Sequence, residues 1–472
     1  MNAKHTLTVL NRLVLRRPTR SHRIARALRG RLASLAETAL EVAVETGAPI
    51  GRVLAEQVPE EMPLDVVHRL LDLCDGADYA YSVHLREIAL ALTRRILAER
   101  SPEGSARRAR LHQNLGIRLR DLGRHEEALE ATQMAVELYR ELARTKPEIH
   151  SEDLAGTLNS LSNRLLTLGR TEESLNTLKE SVEIWRGLVR QDQARYLPDL
   201  GAGLNNLGLV LRSLRRHGEA LAAFRDAVEI RSALAKERLQ ISFQADLATS
   251  LTNLSLVLGA LGRAQESLEV TSRAVDIFQQ AAEARPDAYE PRFATALNNL
   301  AIDFRDLGRP VEGLNRIRQA IAIQRRLARE RPAVFDQDLA RSLDTSGVLL
   351  RDLGSLEEAV DASREAADIY RRIAASRPEA IRPDLATSLH NLGTILADLG
   401  CTEEAISAYS DAVRLRRELA DASPAFQTDL AESLLNLATA LREGGDLDGA
   451  SQILKQAVEL GETALQPGIA KP

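Results

Sequence analysis

Cysteine is almost missing from this 472-residue chain. Cys74 and Cys401 stand far apart and have no Cys or His at ligand spacing, so neither a disulfide framework nor a zinc site is expected. Aromatic residues amount to 3% against 44% hydrophobic residues overall, which leaves the interior to Leu, Ala, Val and Ile and offers few stacking platforms. No uncharged apolar run approaches the roughly 20 residues needed to cross a bilayer, and Asn11 and Arg12 interrupt the apolar stretch near the start. A phosphate-binding loop would need a Gly-Lys pair, and the sequence has none. Lys occurs only at 4, 146, 179, 236, 455 and 471, so the basic residues are mostly Arg, a bias that speaks of a GC-rich genome more than of nucleic-acid binding. These absences predict a soluble, non-secreted chain in a reducing, cytoplasmic setting, without cofactor or metal.

Charge is unevenly spread. The net charge is -5, yet residues 1 to 36 hold nine of the basic residues and no acidic one, leaving the remainder at -14.

What is present is a period. A Leu-Gly turn at Leu122-Gly123 recurs at Gly169, Arg215, Gly262, Gly308, Gly354, Gly400 and Gly445, with gaps of 45 to 47 residues. Eight such units over residues 106 to 465 predict a solenoid, in which each unit buries its apolar face only against its neighbours and leaves a groove rather than a pocket. In the seventh unit Leu385, Leu389, Leu392, Leu396 and Leu399 form one stripe of a first helix, helix A. Pro383-Asp384 is read as its start and Gly400 as its end. A second helix, helix B, is expected from Glu403 to about Ala422, with Ala405 and Ala412 allowing close approach and Tyr409 filling the gap between the two.

The series Leu389, Leu392, Gly393, Leu396, Ala405, Tyr409, Ala412, repeated in the third unit as Leu204, Leu207, Gly208, Leu211, Ala220, Phe224, Ala227, resembles the tetratricopeptide repeat. Leu replaces the opening aromatic of that pattern in seven units and His112 does so in the first. The long period is similar to the subclass that includes kinesin light chains and to arrays common in high-GC bacteria. The resemblance implies an all-α, right-handed α-solenoid, a superhelix of eight helix pairs behind an N-terminal helical cap, that acts as a protein-interaction scaffold. Bacterial arrays of this kind are often attached to a nucleotidase or peptidase domain, and no such domain is evident here. In the second unit Ser162, Ser174 and Ser181 stand at small positions, so looser packing is expected there.

Two rows on helix A are candidate binding residues. The first precedes the internal Leu-Gly or its equivalent: Asn114, Asn206, Asn253, Asn299, Asn391 and Asn436, with Ser160 and Thr345 in the other two units. An Asn amide both donates and accepts, so such a ladder suits the main chain of an extended peptide, as in tetratricopeptide proteins with an asparagine ladder. The alternative is that these amides bond the neighbouring helix or face water. The second row holds Gln113, Asn159, Asn205, Asn298 and His390, and Arg120, Arg212, Arg305, Arg351 and Arg442 lie further along the same helices. Those guanidinium groups would favour carboxylates, unless Asp121, Asp306, Asp352 and Glu443, which follow four of them directly, neutralise them first. Trp185 aligns with Tyr139, Phe278 and Tyr370 and reads as packing. His68, Cys74 and His84 have spacings that do not share a helix face, so no Cys-His catalytic pair is expected.

Before the array, residues 22 to 105 read as a cap with a degenerate helical pair from Leu64 to Arg100 and a helix over 22 to 46. Residues 1 to 21 form a short basic amphipathic start broken at Pro18, and 466 to 472 a tail. The basic residues 1 to 36 could meet a membrane or another acidic surface, and the short amphipathic stretch within them could instead contact nucleic acid, serve as a presequence, or be a partly disordered start. The expected function is a non-enzymatic adaptor that binds an extended peptide segment of another protein in its concave groove. The alternative is a regulatory subunit of a separately encoded enzyme of signalling or defence type. Oligomeric state is left open, because the last helix has no evident cap.

Overall fold

The computed structural model describes residue 38 and residues 62–75, 85–98, 104–375, 378–423 and 426–464. The expectations for the basic segment 1 to 21, for a helix over 22 to 46 apart from Thr38, and for the tail lie outside the described residues. Among the described residues the elements are eighteen helices in series. The first two are α1 (Leu64–Asp75) and α2 (Arg86–Ala98). Eight A/B pairs follow: α3 (Ser105–Asp121) and α4 (His125–Thr145), α5 (Pro147–Thr167) and α6 (Thr171–Val189), α7 (Gln193–Ser213) and α8 (His217–Glu237), α9 (Ile241–Ala260) and α10 (Ala264–Ala284), α11 (Pro286–Asp306) and α12 (Pro310–Glu330), α13 (Pro332–Asp352) and α14 (Leu356–Ala374), α15 (Pro378–Asp398) and α16 (Thr402–Ala422), α17 (Gln427–Glu443) and α18 (Leu447–Ala464). None of these helices is long and apolar enough to cross a membrane.

The chain divides into two compact units, residues 1–223 and 224–472. In the first, α1 packs on α2, α2 on α3, and each later helix up to α7 on its predecessor. Its apolar interior is built from clusters such as Leu129, Tyr139, Leu158 and Leu165. In the second, α9 to α18 pack in the same serial way around Phe278, Leu297, Ile317, Leu343, Tyr370, Leu389 and Tyr409. Each helix buries one stripe, as the seventh pair shows: Leu385, Leu389, Leu392 and Leu396 of α15 are all buried. Ala405 and Ala412 of α16 are fully buried, and a Cβ added at Gly393 would come within 2.8 Å of the Tyr409 ring. Gly at that place is therefore a packing requirement. Trp185 is likewise buried, with its ring 6.1 Å from that of Tyr196.

Successive A helices in the second unit also touch one another, α9 with α11, α11 with α13, α13 with α15 and α15 with α17. The B helices are linked instead by long side chains, Arg325 to Glu365 at 2.5 Å and Arg364 to Glu404 at 2.6 Å. The A helices are thus on the inner side of this unit.

Every A/B turn closes in the same way. Arg124 N donates to Leu119 O and Gly123 N to Arg120 O, and the same two backbone bonds recur in all eight copies. This Schellman arrangement needs a left-handed residue. Glycine supplies it in seven copies, with φ between 70 and 88°, and Arg215 supplies it in the third at φ 55°. An L-residue in that region costs about 1–2 kcal/mol. Arg215→Gly is therefore expected to stabilise the protein by about 1 kcal/mol, read as a higher urea midpoint. A lower midpoint would show that the Arg215 side chain makes a compensating contact.

Two expectations are corrected. Helix α15 starts at Pro378, not at Pro383-Asp384, and Pro383 lies inside it. Pro198 and Pro291 lie inside α7 and α11 in the same way. Each is the sixth residue of its helix, where loss of one N–H removes a single bond near the fraying end. The second pair is also not loosely packed. Ser162, Ser174 and Ser181 are fully buried, the first two with hydroxyls 2.8 Å apart and Ser181 donating to Ala155 O at 2.8 Å. The hydroxyls fill the space that Ala or Gly would leave and find partners across the helices.

Candidate functional site

All eight ladder residues, Asn114, Ser160, Asn206, Asn253, Asn299, Thr345, Asn391 and Asn436, are half-buried on their A helices. Their surroundings differ. Asn206 Nδ2 donates to Asn159 Oδ1 at 2.9 Å, and Asn436 Nδ2 meets His390 Nε2 at 3.4 Å. Asn114, Asn299 and Asn391 are half-buried and make no side-chain hydrogen bond among the described residues.

The row one residue earlier serves another purpose where it is deepest. Asn205 and Asn298 are only 6% and 4% exposed. Asn298 Oδ1 accepts from Ser342 Oγ at 3.3 Å, Asp344 Oδ1 from Ser388 Oγ at 2.8 Å, and His390 Nδ1 lies 3.0 Å from Ser433 Oγ. A serine on α13, α15 and α17 thus meets a polar residue on the preceding A helix, whereas α11 carries Ala296 at that place. Burial, aided by Arg416, pulls the His390 pKa down to about 4, so the ring is neutral at pH 7. The row forms a polar seam between A helices in the second unit.

The arginines are mostly neutralised. Arg120 pairs with Asp121 at 2.7 Å, Arg305 with Asp306 at 2.8 Å, and Arg351 with Asp352 at 3.2 Å. Such part-exposed pairs are worth little and exchange readily. Arg212 is half-buried, its pKa lowered by burial, and it forms no ion pair among the described residues. Arg442 is exposed.

A third row escaped the sequence reading. Four residues past the ladder, five copies carry Val210, Val257, Leu349, Ile395 and Ala440, all buried. The other three carry Arg118, Arg164 and Asp303, also buried. Arg118 is held by the Asp75 carboxylate and the Thr93 hydroxyl. Asp303 Oδ1 accepts from Ser267 Oγ at 2.6 Å while its Oδ2 has no partner, and burial pushes its pKa up to about 6. The signal was a charge in an otherwise apolar column.

Among the described residues the catalytic candidates do not converge. Cys74 is buried and burial pushes its thiol up to about 12, so it is no thiolate at neutral pH. His68 lies 2.9 Å from Arg107, and His84 is outside the described residues. Among the described residues no group of His, Cys, Asp or Glu could hold a metal ion.

Family models described as tetratricopeptide repeat match residues 384–463 and residues 113–143, 154–192, 202–237, 293–328 and 339–375, together more than half of the chain. No curated protein matches. Similar solved structures include BtubC (BKLC) from P. vanneervenii, at 18% identity over 53% of this chain and 93% of that one, TM-score 0.43. Another is the Podosopora anserina putative kinesin light chain with nearly identical TPR-like repeats, at 20% identity over 48% of this chain and 99% of that one, TM-score 0.37.

Proposed function

Because the chain belongs to the tetratricopeptide repeat family, whose repeats serve as protein-interaction scaffolds, we propose that its second unit holds an extended segment of another protein along the A-helix face. The observation that carries this reading is the pair Asn299 and Asn391. Both amides are half-buried at one register of the array and have no side-chain partner among the described residues. Each can donate to a peptide carbonyl and accept from a peptide amide without regard to the side chains it carries. Arg305 and Arg351 flank them, and their weak pairs with Asp306 and Asp352 can yield to an acidic residue of the partner. The protein then acts as an adaptor, not as an enzyme, and a cytoplasmic location suits that role.

The double variant Asn299→Ala with Asn391→Ala tests it. Each amide bond contributes about 0.5–1.5 kcal/mol, so a partner that copurifies with the wild type should bind the double variant about tenfold or more weakly, with no change in melting temperature. Asn206 and Asn436 are left intact because they bond neighbouring A helices. A partner retained at full affinity, or a variant that melts far below the wild type, sinks the reading. A bound peptide that keeps its affinity from low to high salt would remove the acidic preference alone.

A further inference from the structure

Arg118 and Arg164 occupy the same register of the first and second A helices, and both are buried. In the first copy the preceding helical pair supplies the counter-charge, Asp75, together with the Thr93 hydroxyl. In the second copy nothing equivalent is supplied. Arg164, 6% exposed, donates through Nη1 to Ser160 O at 3.1 Å, leaves Nε without a partner and forms no ion pair among the described residues. Burial, with Arg120 adding to it and Asp121 opposing, pulls its pKa down to about 10, so it stays charged at neutral pH.

Arg164 lines a cleft with Arg120, His125, Asn163 and Thr167. Arg120, on the last turn of α3, gives Nε and Nη2 to Asp121 Oδ1 at 2.9 and 2.7 Å, which leaves Nη1. His125 is the first residue of α4, where the helix dipole favours negative charge. Thr167 Oγ1 donates to Asn163 O at 2.9 Å, so its hydroxyl is committed while the Asn163 amide is exposed. We infer that this cleft binds a doubly charged tetrahedral oxyanion, either inorganic phosphate or a phosphoryl group carried by a partner protein. Asp121 already offsets one guanidinium. Glu126 and Glu127 already complement the first turn of α4, whereas Arg164 and the spare donors of Arg120 and Asn163 remain, and a dianion with several acceptor oxygens uses them more fully than a single carboxylate does. The cleft belongs to the first unit and shares no residue with the Asn299 and Asn391 ladder of the second, so the two proposals stand or fall separately.

The full chain titrated calorimetrically at low salt with inorganic phosphate, O-phospho-L-serine and acetate provides the test. Phosphate should bind, and acetate should bind at least about tenfold more weakly. Arg120→Gln alters an exposed side chain and should weaken phosphate about tenfold, while Arg164→Met should abolish it, with circular dichroism separating lost binding from lost fold. Phosphoserine binding tighter than phosphate assigns the site to a phosphorylated partner, and the reverse order assigns it to the free ion. No phosphate binding by the wild type, acetate as tight as phosphate, or a folded Arg120→Gln with unchanged affinity overturns the inference.

Discussion

Leu392→Ala is expected to destabilise the second unit by about 2–5 kcal/mol. Leu392 is buried in the stripe of α15 with Leu389 and Leu396, within the apolar core of the second unit, and Ala would leave a cavity there. The loss has a spatial signature because a repeat array is held together by nearest neighbours. Hydrogen exchange should accelerate in α13 to α18 and leave α3 to α6 as protected as in the wild type. Uniform acceleration over both regions would show that the array unfolds as one cooperative body, and a loss below about 1 kcal/mol would show that α15 and α16 collapse onto the space.

Asp303→Val should stabilise the protein at pH 7.5 by about 2–3 kcal/mol, the second large effect. The Asp303 carboxyl is buried with Oδ2 unpartnered, and its pKa rises from 3.8 to about 6. About two pKa units correspond to about 3 kcal/mol of penalty on the ionised form. A carboxyl whose folded pKa lies above its unfolded one takes up a proton on folding between the two values. Wild-type stability is therefore highest below about pH 4 as far as this group is concerned, falls as pH rises through 6, and levels off above it. Val, the residue at Val210 and Val257 in the same register, removes the penalty, and Ser267 keeps a bond to Ser255 O at 3.0 Å. Urea titrations at pH 4.5 and 7.5 should show the variant's advantage mainly at 7.5. An equal advantage at both, or none, would mean that Asp303 is not ionised at a cost.

The sequence exposed the period and its turns because each turn needs one left-handed residue, and the Gly column is visible even where Arg215 interrupts it. It misplaced the start of α15 because Pro383 is a strong start signal, yet a Pro one and a half turns in costs only one bond and Pro378 already opens the helix. The two polar rows were visible as rows, but not their separate roles. Adjacent positions are turned by about 100° on a helix, and which of them meets the next A helix depends on packing that one helix does not encode. Asn298 faces Ser342 while Asn299 does not, and only the neighbour decides that. Arg164 and Asp303 were passed over, although each is a charge in a largely apolar column, and the presence of Asp75 for Arg118 and its absence for Arg164 depends on the neighbouring helices.

The seam has a consequence for how such a chain can change length. Asn298 with Ser342, Asp344 with Ser388, and His390 with Ser433 are three different polar partners met by one residue type at one place. A serine hydroxyl rotates to suit any of them, so the joint does not depend on which module lies on either side. A duplicated pair inserted at such a joint would bring its own serine to the module before it and its own acceptor to the module after it. Growth or loss of whole modules that carry this serine leaves the fastening intact, whereas a partial deletion within such a module would sever it.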